Sequence, residues 1–380
     1  MDRGIPMPRS RPWARAVDQT LALDLGLQPF RPRRHWFNGD LQTLRDTLRT
    51  VALGPDRGEP ITISVGSGDQ LLALLDPPLP AGREPLALVL LLHGLGGSSD
   101  REGLRRMGQT LQQAGFAVLR LNLRGAGAGR PLARGTYAAS CNRDLLPVLA
   151  RARQLADQLA SGGRPLLGVG LSLGGTLLLN ALLAGDGSPG LDGLVCISSP
   201  LDLDACSRQI ERPRNRVYQR WLLRRLLAQT LADPFGVTPA ERELLEGRAP
   251  LGRLRSLRAF DAAITAPRWG YGSVDDYYAK ASPLLPLLEG AAARLPSTLL
   301  VHAADDPWVP VAPIRRVAEA DLRGIDVLIT PQGGHNGFHA RCDAAAGQGC
   351  WGDRLTARWL LRWIDASAGA AAGRLSADPG

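Results

Sequence analysis

Leu166-Leu-Gly-Val-Gly-Leu-Ser-Leu-Gly-Gly175 is the stretch whose reading decides the fold of this chain. An apolar run of strand length ends in Gly170-Leu171-Ser172-Leu173-Gly174, and the residues after it, Thr176–Leu183, are apolar and helical in character. G-x-S-x-G in that strand–turn–helix setting predicts a nucleophile elbow. A serine is forced into a strained turn at the top of a sheet, and the glycines on either side leave the room the turn needs. Ser172 is therefore expected to project its hydroxyl into a cleft at a helix N-terminus. The five-letter pattern alone is weak, and its setting between a buried strand and an apolar helix gives it weight.

Working outward, short apolar runs recur between helical patterns and turn signals: Ile61–Ser64, Leu71–Leu75, Leu88–Leu92, Phe116–Leu121, Leu166–Leu171, Leu194–Ser198, Thr298–His302 and Ile325–Ile329. The first two are joined through Gly66, Gly68 and Asp69 at hairpin length. Later ones are separated by helix-sized segments such as Arg101–Ala114 and Asn142–Ala160. This predicts an α/β chain with an eight-stranded, mostly parallel sheet, antiparallel at its start and flanked by helices. Between the sixth and seventh runs lies a long insertion containing the Arg-studded segment Tyr218–Ala232 and the aromatic stretch Trp269–Tyr278. An insertion there sits at the carboxyl ends of the strands, where open α/β sheets bind ligands, and predicts a helical cap. The expected organisation is an N-terminal extension over 1–58, a core over 59–199 and 291–366, a cap over 200–290 and a disordered tail over 367–380. Within the extension an amphipathic stretch, Leu41–Val51, is expected to pack on the body as a helix. Trp351, Leu355, Trp359 and Trp363 recur every four residues, the mark of an amphipathic helix docked on the sheet.

A chain of 380 residues, 44% hydrophobic and 21% charged, can bury a large core, which argues against disorder or a small disulfide-stapled module. The formal charge of +9 raises the question of nucleic acid or an anionic membrane. However, Lys280 is the single lysine, and the arginines are dispersed without a block of like charges, so no nucleic-acid partner is expected. The five cysteines, Cys141, Cys196, Cys206, Cys342 and Cys350, include no C-x-x-C pair, which suits a reducing compartment better than a disulfide framework or zinc. No H-E-x-x-H spacing or phosphate loop occurs, and Gly125-Ala-Gly-Ala-Gly129 matches a dinucleotide fingerprint only loosely, so neither cofactor nor metal is expected. With no apolar leader and no aliphatic run beyond the seven residues Leu86–Leu92, a cytoplasmic location is expected.

A serine hydroxyl needs a base, and histidine is the side chain whose pKa suits neutral pH. Of five histidines, His93 and His302 fall in or at the ends of strands and His35 precedes the sheet. His335 and His339 follow the last strand, where the Ser…Asp…His chain order puts the base; flanking Gly333, Gly334 and Gly337 favour His335. Asp305 and Asp306 are the carboxylates after the seventh strand. Asp306, heading Asp-Pro-Trp-Val-Pro310, is favoured to orient the imidazole, which leaves Asp305 to cap the turn through its own backbone. The third strand ends in His93-Gly-Leu-Gly-Gly97, a loop suited to an oxyanion hole, with Leu95 and Leu173 as the main-chain N–H donors.

With these residues in place the chain resembles the α/β-hydrolases, and within them the YheT-like family. The resemblance runs over about residues 35–365. It is carried by Gly39-Asp-Leu-Gln-Thr43, His93-Gly-Leu-Gly-Gly-Ser-Ser-Asp100, Asn122-Leu-Arg-Gly125, Phe260-Asp-Ala-Ala-Ile-Thr-Ala-Pro267 and Ser273-Val-Asp-Asp-Tyr-Tyr-Ala-Lys-Ala-Ser282. The last two separate this family from generic esterases. Asp40 stands where the family usually has histidine, and Ala126 where cysteine often follows Arg-Gly. The resemblance implies carboxylic ester hydrolysis by a serine mechanism, on short-chain esters in assays and on acylglycerols or phospholipids for some relatives.

The expectation is a soluble serine ester hydrolase acting on small-molecule esters of short to medium chain, or acylglycerol and lipid esters, with transient contact with lipid surfaces. Its cap closes over an apolar acyl pocket; Tyr277 and Tyr278 belong either to that pocket or to the core. The rivals are an acyltransferase using the same acyl-enzyme and a non-catalytic binding protein on the same fold. The sequence does not fix the oligomeric state.

Overall fold

A computed structural model describes residues 19–49, 52–80, 82–185, 190–247, 254–343 and 349–375. Ahead of the sheet, α1 (Gly39–Leu48) starts where the Asn38 side chain accepts the Leu41 N–H at 2.9 Å. It covers the amphipathic stretch read from sequence except its end; Val51 lies outside the described residues. The strands are β1 (Glu59–Ser64), β2 (Gln70–Asp76), β3 (Leu88–Leu92), β4 (Ala117–Leu121), β5 (Leu166–Leu171), β6 (Gly193–Ile197), β7 (Ser297–Ala303) and β8 (Ile325–Thr330). They form one sheet in the order β1-β2-β4-β3-β5-β6-β7-β8. β1 and β2 form a hairpin, β2 pairs antiparallel with β4, and every other pairing is parallel. The first strand starts earlier than the apolar pattern suggests because Pro60, which cannot donate to a ladder, is tolerated on an edge strand.

Side chains alternate across the sheet, and both faces are covered, as parallel strands require. Leu88, Leu90 and Leu92 of β3 face one core, together with the inward faces of α3 (Asn142–Gln158) and α4 (Leu173–Ala184). Val89 and Leu91 face the other, built with Leu104, Met107 and Leu111 of the helix Glu102–Gln113, here α2, and with the C-terminal helix.

Between β6 and β7 the chain leaves the sheet and builds α5 (Leu203–Ile210), α6 (Arg216–Leu231), α7 (Pro239–Glu246), α8 (Leu257–Phe260) with a π-helical turn Asp261–Thr265, and α9 (Val274–Lys280). Tyr218, Leu222, Leu226, Leu245 and Phe260 give this insertion its own small core, and Leu95 and Trp308 of the main body pack against it. α7 opens with a capping box, Thr238 and Glu241 each bonding the other's backbone N–H.

After the insertion come α10 (Ala312–Ala320) and α11 (Trp351–Leu375). Trp351, Leu355 and Trp359 of α11 are buried against the sheet, with Trp351 Nε1 donating to the Gln28 carbonyl at 2.8 Å and Trp359 Nε1 to Asp326 at 2.9 Å. The helix corrects the expected disordered tail over 367–380. Ala368–Ala372 is alanine-rich and of high helix propensity, so α11 continues to Leu375; the last five residues lie outside those described.

Trp351→Ala, which empties a fully buried indole site, is expected to destabilise the protein by about 3–5 kcal/mol, read as a lower midpoint in urea unfolding.

Candidate active site

The strand-to-helix turn sets the geometry. Ser172 adopts φ 54°, ψ −125°, and its N–H donates to the Ile197 carbonyl at 2.8 Å. A Cβ at Gly170 would lie 2.3 Å from the Gly175 Cα, and one at Gly174 would lie 2.6 Å from the Leu92 carbonyl, so neither position can carry a side chain. The turn thus brings the serine out at the carboxyl edge of β5.

Two loops from other strands reach it. His335 Nε2 lies 2.9 Å from Ser172 Oγ, and its Nδ1 lies 2.8 Å from Asp306 Oδ2. A carboxylate only accepts, so Nδ1 carries the proton and Nε2 is the acceptor facing the serine hydroxyl. The second Asp306 oxygen accepts the N–H groups of Trp308 (2.8 Å) and Val309 (3.0 Å), which fixes the carboxylate in plane. Burial opposes the charge of Asp306, but the adjacent His335 and these donors outweigh it and hold the carboxyl below its ordinary range.

His339 lies apart, buried with its Nε2 3.1 Å from Asp46, and shares no contact with Ser172. Asp305 does more than cap its own turn: its Oδ1 accepts the Gly334 N–H at 2.9 Å and so ties the acid turn to the histidine loop.

The third loop is His93–Gly97. It approaches so closely that a Cβ on Gly94 would lie 2.8 Å from the Ser172 Cβ. His93 is buried, and burial pushes its imidazole down to about 4, so it is neutral. Its Nδ1–H donates to the Gly94 carbonyl (2.8 Å) and its Nε2 accepts the Leu123 N–H (3.2 Å). The Tyr137 hydroxyl accepts the Gly96 N–H at 2.7 Å and donates to the Gly94 carbonyl at 3.2 Å. From the cap, Arg225 donates twice to the Gly96 carbonyl, at 3.0 and 2.6 Å. The N–H groups of Leu95 and Leu173 have no acceptor among the described residues, which leaves both available to an incoming oxygen.

Several site residues were not singled out from sequence. Trp308 stacks on the His335 ring, with centroids 4.5 Å apart and planes at 29°. Thr43 Oγ1 accepts the His335 N–H at 2.8 Å while donating to the Gly39 carbonyl at 2.7 Å. Gln42 brackets the same loop, donating to the His339 carbonyl (3.0 Å) and accepting the His339 N–H (2.8 Å). Asp40 reaches the cap instead, accepting from Tyr218 at 3.0 Å and Arg214 at 2.8 Å. The Arg124 of the Asn122–Gly125 motif is structural, gripping Asp144 through two 2.7 Å bonds.

A cavity opens from Ser172 under the cap, and its walls are largely apolar: Leu203, Ile210, Leu222, Leu226, Leu257 and Phe260. Tyr277 and Tyr278 line it as well and are also buried. A second recess also meets Ser172; its wall combines Leu104, Met107 and Phe338 with Thr43, Asp46, Arg101 and Arg106. Arg106 there is held between Asp46 (2.6 Å) and Asp353 (2.7 Å). No group of metal-ligating side chains occurs among the described residues, and no described helix is long and apolar enough to cross a membrane.

Comparison with known proteins agrees with this architecture. A family model described as the alpha/beta hydrolase family matches residues 89–348. The protein YheT of Escherichia coli (strain K12), named as an esterase, is 32% identical over 313 residues, 81% of this chain and 86% of its own length. The phospholipase ABHD3 of Mus musculus is 29% identical over 250 residues, 66% of this chain; the match spans 58% of that longer protein. The crystal structure of a soluble variant of the Saccharomyces cerevisiae monoglyceride lipase with a substrate analog shares the fold, at a TM-score of 0.53 and 14% identity over 83% of this chain and 97% of its own.

Two outcomes follow from this geometry. Thr43→Val removes the hydroxyl that positions the His335 loop and is expected to lower kcat about tenfold, the effect of one lost hydrogen bond, while Thr43→Ser restores it. His93 binds a proton more readily unfolded, with an ordinary pKa of about 6.5, than folded, where burial holds it at about 4. Its contribution to stability is therefore complete above pH 6.5 and is lost as pH falls towards 4, about 3 kcal/mol in all. Urea midpoints measured across that window are expected to fall more steeply in the wild type than in His93→Gln.

Proposed function

Because this chain belongs to the α/β-hydrolase family, in its YheT-like branch, and is a carboxylic ester hydrolase, we propose that it works through an acyl-enzyme carried by Ser172. The observation that carries the proposal is the unbroken run of hydrogen bonds from Ser172 Oγ through His335 to Asp306.

His335 Nε2 takes the Ser172 proton as Oγ attacks the ester carbonyl carbon. The carbonyl oxygen becomes an oxyanion and accepts from the Leu95 and Leu173 N–H groups; aimed donors of this kind are typically worth about 10²–10³ in rate each. Asp306 keeps the proton on Nδ1 and stabilises the imidazolium. Collapse of the tetrahedral intermediate breaks the bond to the alcohol, which leaves with the proton from Nε2. Water then enters, His335 takes its proton, and attack on the acyl carbon releases the acid and regenerates the Ser172 hydroxyl.

The substrate reading follows from the two spaces that meet at Ser172. The apolar cavity under the cap suits an acyl chain of short to medium length, and the second recess, with charged side chains on part of its wall, suits the alcohol. Lipid esters, acylglycerols or phospholipids, fit that division, and the phospholipase relative supports it.

A fluorophosphonate probe is expected to label Ser172 in a single peptide. Ser172→Ala is expected to lose the label and to lower kcat on p-nitrophenyl esters by about 10⁶-fold, and Asp306→Asn, which misplaces the imidazole proton, by about 10⁴-fold. Label on another residue, or turnover that survives Ser172→Ala, would contradict the proposal.

A further inference from the structure

The two sequence segments that set this chain apart from generic esterases, Phe260–Pro267 and Ser273–Ser282, meet inside the apolar cavity. The Tyr278 hydroxyl donates to Asp261 Oδ2 at 2.8 Å. Both side chains line the cavity, as do Thr265 and Ser207. Asp261 and Thr265 bound a π-helical turn, a form rare in helices and frequent at functional sites.

Two features of this cluster are unusual for buried polar groups. A carboxyl facing a largely apolar cavity is disfavoured unless its charge is balanced; Asp261 accepts from the Tyr278 and Thr265 hydroxyls, but no ion pair to it occurs among the described residues. Arg258, whose field reaches it, is held by Asp204 at 2.8 Å and by Asp275. Burial accordingly pushes the Asp261 carboxyl up to about 6. The second feature is Ser207 Oγ. The residue is 6% exposed, it lines the same cavity, and its buried hydroxyl has the Tyr278 hydroxyl as a neighbour but makes no well-aligned hydrogen bond. A buried hydroxyl without an aligned bond, near a carboxyl without an ion pair, suits a ligand group that both donates and accepts.

We propose that Asp261 and Ser207, with Tyr278 fixing the carboxyl, form a polar subsite within the acyl pocket that selects acyl groups bearing a hydroxyl. The hydroxyl of the substrate donates to Asp261 Oδ and accepts from Ser207 Oγ–H. The role of Tyr278 is to hold Asp261 in place, and the π turn keeps the carboxyl on the cavity side. The subsite rests on the acyl-enzyme reading of Ser172, because it gives the cavity its acyl occupant. A site built to bond a hydroxyl discriminates strongly against the analogue that lacks one, since its own polar groups are then left unpaired.

The test uses p-nitrophenyl esters of one straight-chain acid, plain and with a hydroxyl placed at successive carbons, and reads the ratio of kcat/KM for each hydroxy ester to that of the plain ester. In the wild type one positional isomer is expected to exceed the plain ester by about 10- to 100-fold, the effect of one or two hydrogen bonds. Asp261→Leu is expected to bring that ratio below one, and Ser207→Ala, a small change suited to a buried site, to lower it about tenfold. A wild-type ratio at or below one for every isomer overturns the subsite, as does a ratio unchanged in both variants, which would leave the cluster a purely structural brace. Ser172→Ala run on the plain ester keeps the two questions apart: surviving turnover overturns the acyl-enzyme reading, whereas lost turnover with a flat isomer profile overturns the subsite alone.

Discussion

Ser172 holds a backbone conformation, φ 54° and ψ −125°, that a residue with a side chain adopts only at a cost of about 1–3 kcal/mol, and the surrounding structure exists in a form that enforces it. β5 is a central strand with parallel neighbours on both sides, so its end cannot shift, and the helix that begins at Leu173 is buried along nearly its whole length. Between them the chain turns within one residue. The glycines at 170, 174 and 175 lie against backbone or small side chains at distances no Cβ could share. Strain at the serine is thus balanced by packing of two deeply buried elements, and the hydroxyl emerges at a fixed point above the sheet.

The groups converging on that point come from strand ends on both sides of β5: β3 brings His93–Gly97, and β7 and β8, beyond β6, bring Asp306 and His335. Strand ends alone would leave these loops free to sway, and two outside segments restrain them. α1 clasps the histidine loop through Gln42 and Thr43, while α6 of the cap clasps the His93–Gly97 loop through Arg225. Asp40, the residue that departs from the family pattern, joins these two restraints by bonding α6 at Tyr218. The extension and the cap are in this way parts of one brace around the serine, and both contribute to orientation as well as to enclosure.

Most of this framework was legible in the sequence because its signals are local. The elbow declares itself by three glycines and a serine between two apolar runs, and Asp306 and His335 by their places just after the seventh and eighth strands. The expectation of Leu95 and Leu173 as main-chain donors likewise rests on loop position alone. The braces were not. Thr43 and His335 are 292 residues apart in sequence, and Arg225 and Gly96 are 129 apart, so neither contact leaves a pattern in any window of the chain. Trp308 was read as part of a turn, and its stacking on the imidazole depends on the direction that turn takes. The helix beyond residue 367 was missed for a different reason: alanine-rich sequence with few large side chains reads as a tail by composition, although its propensity supports helix.

The central claim is a covalent acyl-enzyme, and its most direct test is the partition of products from a series of esters that share one acid and differ in their alcohol, hydrolysed in the presence of added methanol. If all pass through the same acyl group on Ser172, the ratio of methyl ester to free acid is expected to be identical for every leaving alcohol. A ratio that varies with the leaving alcohol would mean that water and methanol attack the substrate directly, and would contradict the account.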